Sequence, residues 1–189
     1  MTDFVFVRVP WSTLPITGSH IDTSDPPATV FSNPKDENNL SCDWDFYVTA
    51  KESWENIANI FDQRTGKLKD NDKFFIYSFN IGKLIEVDEI ESVQYYPLEL
   101  NQAHSQIFKE IGAHLAMKCF AQIVYPNLDS LQKEKFALRK EISKENSRIQ
   151  SLKKNYENKP SDRLHNKIKK YQQDLDNLEN RLLKITDNR

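Results

Sequence analysis

Ser161-Asp-Arg-Leu164-His-Asn-Lys-Ile168-Lys-Lys-Tyr171-Gln-Gln-Asp-Leu175-Asp-Asn-Leu178-Glu-Asn-Arg-Leu182-Leu-Lys-Ile185 places an apolar residue every three or four positions. Leu164, Tyr171, Leu178 and Ile185 form one series of sevens; Ile168, Leu175 and Leu182 form the other. An α-helix brings such residues onto one narrow stripe, the seam of a coiled coil. The preceding stretch repeats the pattern less cleanly. Leu128, Lys135, Ile142, Ile149 and Tyr156 make one series, and Leu131, Leu138, Glu145 and Leu152 the other. Two of these nine sites are charged, so this seam carries faults at Lys135 and Glu145. Between the stretches lies Glu157-Asn-Lys-Pro160-Ser161, a linker with Ser161 as a helix N-cap. A linker this short forces an antiparallel return. Two helices of about 24 residues, each roughly 36 Å long at 1.5 Å per residue, are therefore expected from about Asp129 to Ile185.

Working outward, the charge changes sign at the same boundary. Residues 1–127 hold 18 acids and 10 bases, a balance of −8, whereas residues 128–189 hold 10 acids and 16 bases, +6. Two units are expected, a head over 1–127 and the helical hairpin over 128–189.

The head reads as α+β: a small, mostly antiparallel sheet with covering helices. Phe4 to Val9 is an almost unbroken apolar run, which suits a strand buried on both faces. Turn formers crowd Trp11 to Pro27, read as a long loop with one short strand, and Ala28–Phe31 suggests another strand. The segment around Asn33–Asn39 reads as an exposed turn. Ser41–Thr49 alternates, with Cys42, Trp44, Phe46 and Val48 on one face. Thr49 and Glu52 make a capping box for a helix carrying Trp54, Ile57, Ala58 and Phe61. Strands are expected at Lys73–Ile81, Leu84–Val87 and Ser92–Pro97. A spacing near four in Ala103, Ile107, Ile111, Leu115 and Cys119 predicts a long helix over about Asn101–Val124, ended by Pro126.

Several function classes lose their signatures. The chain has four glycines and no phosphate-loop, dinucleotide, zincin or nucleophile-elbow motif, so no cofactor is expected. No run of eighteen apolar residues exists and no membrane is expected as a partner. Met1–Pro10 has an acid at Asp3 and no basic n-region, which reads as a first strand and points to a cytoplasmic location. Cys42 and Cys119 form no C-x-x-C pair and read as free thiols.

The polar residues that could carry chemistry are scattered. His20 and Asp22, with Asp43 and His104, would make a small metal-dependent or His/Asp hydrolase if they converged. Asp43 and Asp45 share a strand face and could hold a cation. Each has a plainer reading: a loop histidine, solvated edge carboxylates, and a histidine in a helix's first turn. Cys42 beside Trp44 reads as a buried thiol more readily than as a nucleophile served by His104. The aromatics of the head, Tyr95 and Tyr96 included, read mostly as core.

Cys42-Asp43-Trp44 with Tyr47 and Thr49, followed by Pro97-Leu98, Asn101 and Ala103-His104, resembles a pattern in small bacterial proteins of unassigned function. It covers residues 42–108 and stops before the hairpin. The resemblance implies a bacterial, cytoplasmic protein and directs attention to Asp43, Asn101 and His104. This chain departs from the pattern beside Trp44, where it has Asp45 and no basic residue.

The function expected from the residues is a non-enzymatic protein–protein interaction or regulatory module. Leu138, Ile142, Ile149, Leu152, Tyr156, Leu164, Ile168, Tyr171, Leu175, Leu178 and Leu182 would form the contact surface, with a second copy as in a homodimer or with another protein. The alternative partner is nucleic acid, held by Lys153, Lys154, Lys169 and Lys170 on the basic hairpin.

Overall fold

A computed structural model describes residues 3–33, 39–62, 65–110 and 112–187. The turn expected around residues 34–38 lies outside them. The fold is α+β, a six-stranded antiparallel sheet with helices, followed by two long helices that pack on each other as a hairpin. Contacts divide the chain into two compact units: residues 1–15 with 22–127, and residues 16–21 with 128–189.

In chain order the elements are β1 (Phe4–Pro10), β2 (Ile16–Thr17), β3 (His20–Ile21), β4 (Asn39–Trp44), α1 (Ala50–Glu55), β5 (Phe61–Asp62), β6 (Lys67–Leu68), β7 (Phe74–Asn80), α2 (Ile81–Leu84), β8 (Ile90–Tyr95), β9 (His104–Lys109), α3 (Ala113–Phe120), β10 (Gln122–Tyr125), α4 (Ser130–Asn158) and α5 (Asp162–Asp187). The main sheet runs β10-β7-β1-β4-β9-β8, so β1 and β4 are central and β8 is an edge.

Register explains which residues are buried. Val5, Val7 and Val9 of β1 stand opposite Phe79, Tyr77 and Phe75 of β7, and directly paired residues point to the same side. All six are buried there. The ring of Phe31 meets Tyr77 and Phe79 edge-on, with centroids 6.0 and 5.1 Å away. The Tyr77 hydroxyl donates to the Thr23 carbonyl at 2.8 Å, which satisfies the polar atom of a fully buried ring. On the opposite face Phe6, Ile57 and Ile76 form a cluster, covered by Val48, Ala50, Trp54, Phe74 and Tyr125. The apolar run of β1 therefore faces core on both sides.

α1 starts where its cap places it. The Thr49 hydroxyl accepts from the Glu52 N–H at 3.2 Å, and the Glu52 carboxylate accepts from the Thr49 N–H at 2.7 Å. The helix is shorter than its apolar stripe suggested. A 3-10 turn follows over Asn56–Asn59, and Phe61 lies exposed in β5.

Four sequence expectations are corrected here. The helix over Asn101–Val124 is β9, α3 and β10. Ile107 lies between Leu40 of β4 and Val93 of β8, whereas Ala103 sits in the turn before β9, so the four-residue spacing between them is not a helical one. Gly112, at φ +136°, sits at the start of α3, a conformation costly for a residue with a Cβ. Ala28–Phe31 is a 3-10 turn, and in place of the strand expected at Leu84–Val87 the chain ends α2 at Leu84, a helix capped by the Asn80 side chain, and turns over residues 85–87. Trp11–Pro27 contains two short paired strands, β2 and β3, around Gly18 at φ +63°.

The second unit is built on α4 and α5. Asp129 caps α4 through a capping box with Gln132, and the Ser161 hydroxyl accepts from the Leu164 N–H at 3.3 Å at the start of α5. β3 packs against α4 within this unit. No helix among the described residues is long and apolar enough to cross a membrane.

Candidate functional site

The hairpin is the most extended surface of the second unit, and its side chains step back along each other as an antiparallel pair must. Arg181 meets Glu134 at 3.7 Å, the Arg148 guanidinium lies 5.9 Å from the Tyr171 ring centre, and the Tyr156 and His165 rings are 6.0 Å apart. Leu138, Ile149 and Leu175 are buried. Ile142, Leu152, Tyr156, Leu164, Ile168, Tyr171, Leu178 and Leu182 are only half-buried. One helix can cover a seam residue from one side only, so the other flank of the stripe stays open to water. Lys153, Lys154, Lys169 and Lys170 are exposed around the distal half.

The charged fault at Glu145 is partly offset within its own helix, through Oε1, while Oε2 is buried without a hydrogen-bond partner among the described residues. Arg148 donates to Glu145 at 2.5 Å and its guanidinium covers Tyr171. Beside them is an open groove of about 430 Å³ lined by Glu141, Arg148, Tyr171, Asp174 and Leu178, among others.

In the first unit the polar focus is Asp43 of β4, fully buried. Its carboxylate accepts from Arg8 of β1, from Ser53 Oγ of α1 at 2.5 Å and from Asn101 Nδ2 at 2.7 Å. Arg8 is paired across the sheet, its side chain 18% exposed. Asn101 Oδ1 in turn accepts from the Ala103 N–H at 3.2 Å, fixing the approach to β9. One carboxylate thus ties two strands, a helix and the β8–β9 turn. Both carboxylate oxygens accept from the protein's own donors, one of them charged, which is how a buried charge is kept.

His104 lies opposite Asp43 in the β4–β9 register and points to the same face of the sheet. It is a strand residue, contrary to its expected place in a helix's first turn. Its Nδ1 lies 2.6 Å from the Tyr96 carbonyl oxygen, so that nitrogen is the protonated one. Of the four residues considered for hydrolysis, Asp43 and His104 are thus neighbours. Asp22 belongs to the same unit but accepts from the backbone N–H and the hydroxyl of Ser24, an Asx turn. His20 belongs to the other unit, on β3, with Nδ1 3.1 Å from Ser19 Oγ. Asp45 follows the end of β4 and is half-exposed, whereas Asp43 is buried. No group of three metal-ligating side chains occurs among the described residues.

Both cysteines are free, Cys42 buried and Cys119 exposed. Burial pushes the Cys42 thiol well above the usual range, and the Asp43 carboxylate adds to this. Cys42 stands opposite Ser105 and so faces away from Asp43 and His104. Native protein treated with iodoacetamide at pH 8 is expected to take one equivalent, at Cys119, and a second only after unfolding. Peptide mapping that finds Cys42 labelled in the folded protein contradicts this assignment.

Sequence reasoning missed two features. Lys109 is buried in β9, and burial holds its ammonium below the usual lysine range. Phe46, Tyr47, Tyr95 and Tyr96 are exposed, which corrects the reading of Tyr95 and Tyr96 as core. The missing signal was their place at loop boundaries, where no second layer of the fold covers them.

No family model matches the chain, and neither a curated protein nor a solved structure matches it.

Proposed function

We propose that the protein is a non-enzymatic interaction module whose helical hairpin is its associating element. The observation that carries this reading is the half-covered seam from Ile142 to Leu182. Eight apolar or aromatic residues there lie on one stripe with only one neighbouring helix to shield them. Isolated helical pairs gain little stability from propensity alone and depend on covering such a stripe. A second protein surface laid along the open flank would remove that apolar area from water, at about 25 cal/mol per Å². Sedimentation equilibrium over a hundredfold range of concentration tests the reading. A weight-average mass that rises with concentration is expected; a lone 22.2 kDa species throughout contradicts self-association.

A second reading follows from the distal half of the hairpin. Residues 153–170 contain seven bases and two acids, and Lys153, Lys154, Lys169 and Lys170 are exposed. Such a rod could lie along phosphates. This reading predicts anisotropy-detected binding to labelled duplex DNA or RNA that weakens with salt and is lost when the four lysines become glutamine. Binding that is unaffected by those changes removes the hairpin from that role.

A further inference from the structure

We infer that the hairpin of one copy seats on an apolar, acid-flanked patch at the Tyr47–Tyr95 end of the sheet unit in a second copy. This rests on the hairpin being the associating element and names what it associates with.

The patch is built from the loop that follows β4 and from the end of β8 with the loop that follows it. Phe46 is 74% exposed and its ring meets Tyr47 edge-on at 5.0 Å; Tyr47 stacks on Tyr95 at 4.5 Å with the planes 17° apart. Tyr96, Leu98 and Leu100 continue from Tyr95, and Leu100 is 79% exposed. Single exposed apolar residues are ordinary, but six on two segments joined by ring contacts make a surface that water covers at a cost. The Leu98–Asn101 bridge and the Asn101–Asp43 hydrogen bond hold the second loop, so the patch is preformed.

Charge selects the occupant. Asp45 adjoins Phe46 and Glu99 lies between Leu98 and Leu100, and the segments that carry the patch, residues 39–50 and 92–108, hold neither lysine nor arginine. The complementary surface is therefore basic as well as apolar. Within this chain that description fits residues 153–170, with a balance of +5, beside the half-buried Tyr156, Leu164 and Ile168. A second hairpin is a poorer match. The base of the hairpin, residues 129–148 and 171–187, has eight acids and eight bases, so a tip laid on it finds no net attraction.

A contact between two different surfaces leaves one patch and one hairpin free, so association continues beyond the dimer unless a ring closes. It also makes complementation possible. In sedimentation velocity on the full chain, F46S/L100S and K153E/K154E/K169E/K170E are each expected to sediment as monomers at concentrations where the wild type associates. Their equimolar mixture is expected to form a one-to-one complex, because one supplies the intact hairpin and the other the intact patch. The substituted residues are exposed, and circular dichroism checks that each variant remains folded. A second patch variant, Y96S/L98S, gives the same outcome. Patch variants that associate like the wild type, or a mixture that stays as two monomers, overturn the seating on the patch while leaving hairpin association intact. A wild type that is monomeric throughout overturns both.

Discussion

Replacing Asp43 with leucine is expected to destabilise the sheet unit by about 3–5 kcal/mol, the usual cost of stranding one partner of a buried pair. The geometry explains the size. Arg8, Ser53 and Asn101 all donate to this carboxylate, and Arg8 Nε is already buried without a hydrogen-bond partner among the described residues. Asp43→Leu leaves a guanidinium that is mostly withdrawn from water, its side chain 18% exposed, without its counter-charge. It also frees Asn101, which orders the loop carrying Leu98 and Leu100. The double variant Arg8→Met/Asp43→Leu removes both charges and is expected to recover most of the loss, because the penalty belongs to the unpaired ion. Urea unfolding of the three proteins measures this. A single-variant loss under about 1 kcal/mol would mean that the pair is hydrated and weak.

Leu175→Ala in the hairpin is the second large effect, expected to cost about 2–5 kcal/mol as a large-to-small change at a buried site. The neighbouring control is Leu183→Ala. Leu183 is 57% exposed and off the seam, so its loss is expected to stay within about 0.5 kcal/mol. The readout is the 222 nm ellipticity of α4 and α5, which hold 29 and 26 residues. Leu175→Ala melts this signal at lower temperature, while the near-ultraviolet signal of the tryptophans, all outside the hairpin, keeps its own midpoint. Equal effects at the two leucines would mean that the seam has been assigned to the wrong stripe.

The hairpin was legible because its information is local. A period of seven, a cap at each helix start and a proline in the linker need nothing beyond the segment itself. β1 and β7 were legible for a similar reason, since strands buried on both faces carry near-continuous apolar runs. The region 101–124 was not. Ala103, Ile107 and Leu115 satisfy a helical spacing, yet β4 and β8 offer β9 a ladder on each side, a non-local gain that no window of sequence contains. Asp43 was singled out on its chain neighbours, but its role depends on Arg8, Ser53 and Asn101, brought in from three other segments. The exposed aromatics were misread because hydrophobicity alone does not tell a core ring from one left uncovered at a strand end.

Association through the hairpin is tested most directly by hydrogen exchange of the backbone amides from Ile149 to Leu178 at increasing protein concentration. Protection that climbs as the protein is concentrated is the expected result, since the open side of the helical pair is then shielded by another molecule. Exchange rates that stay the same from dilute to concentrated solution contradict it, and the two helices would then have to be stable with their half-covered stripe in water.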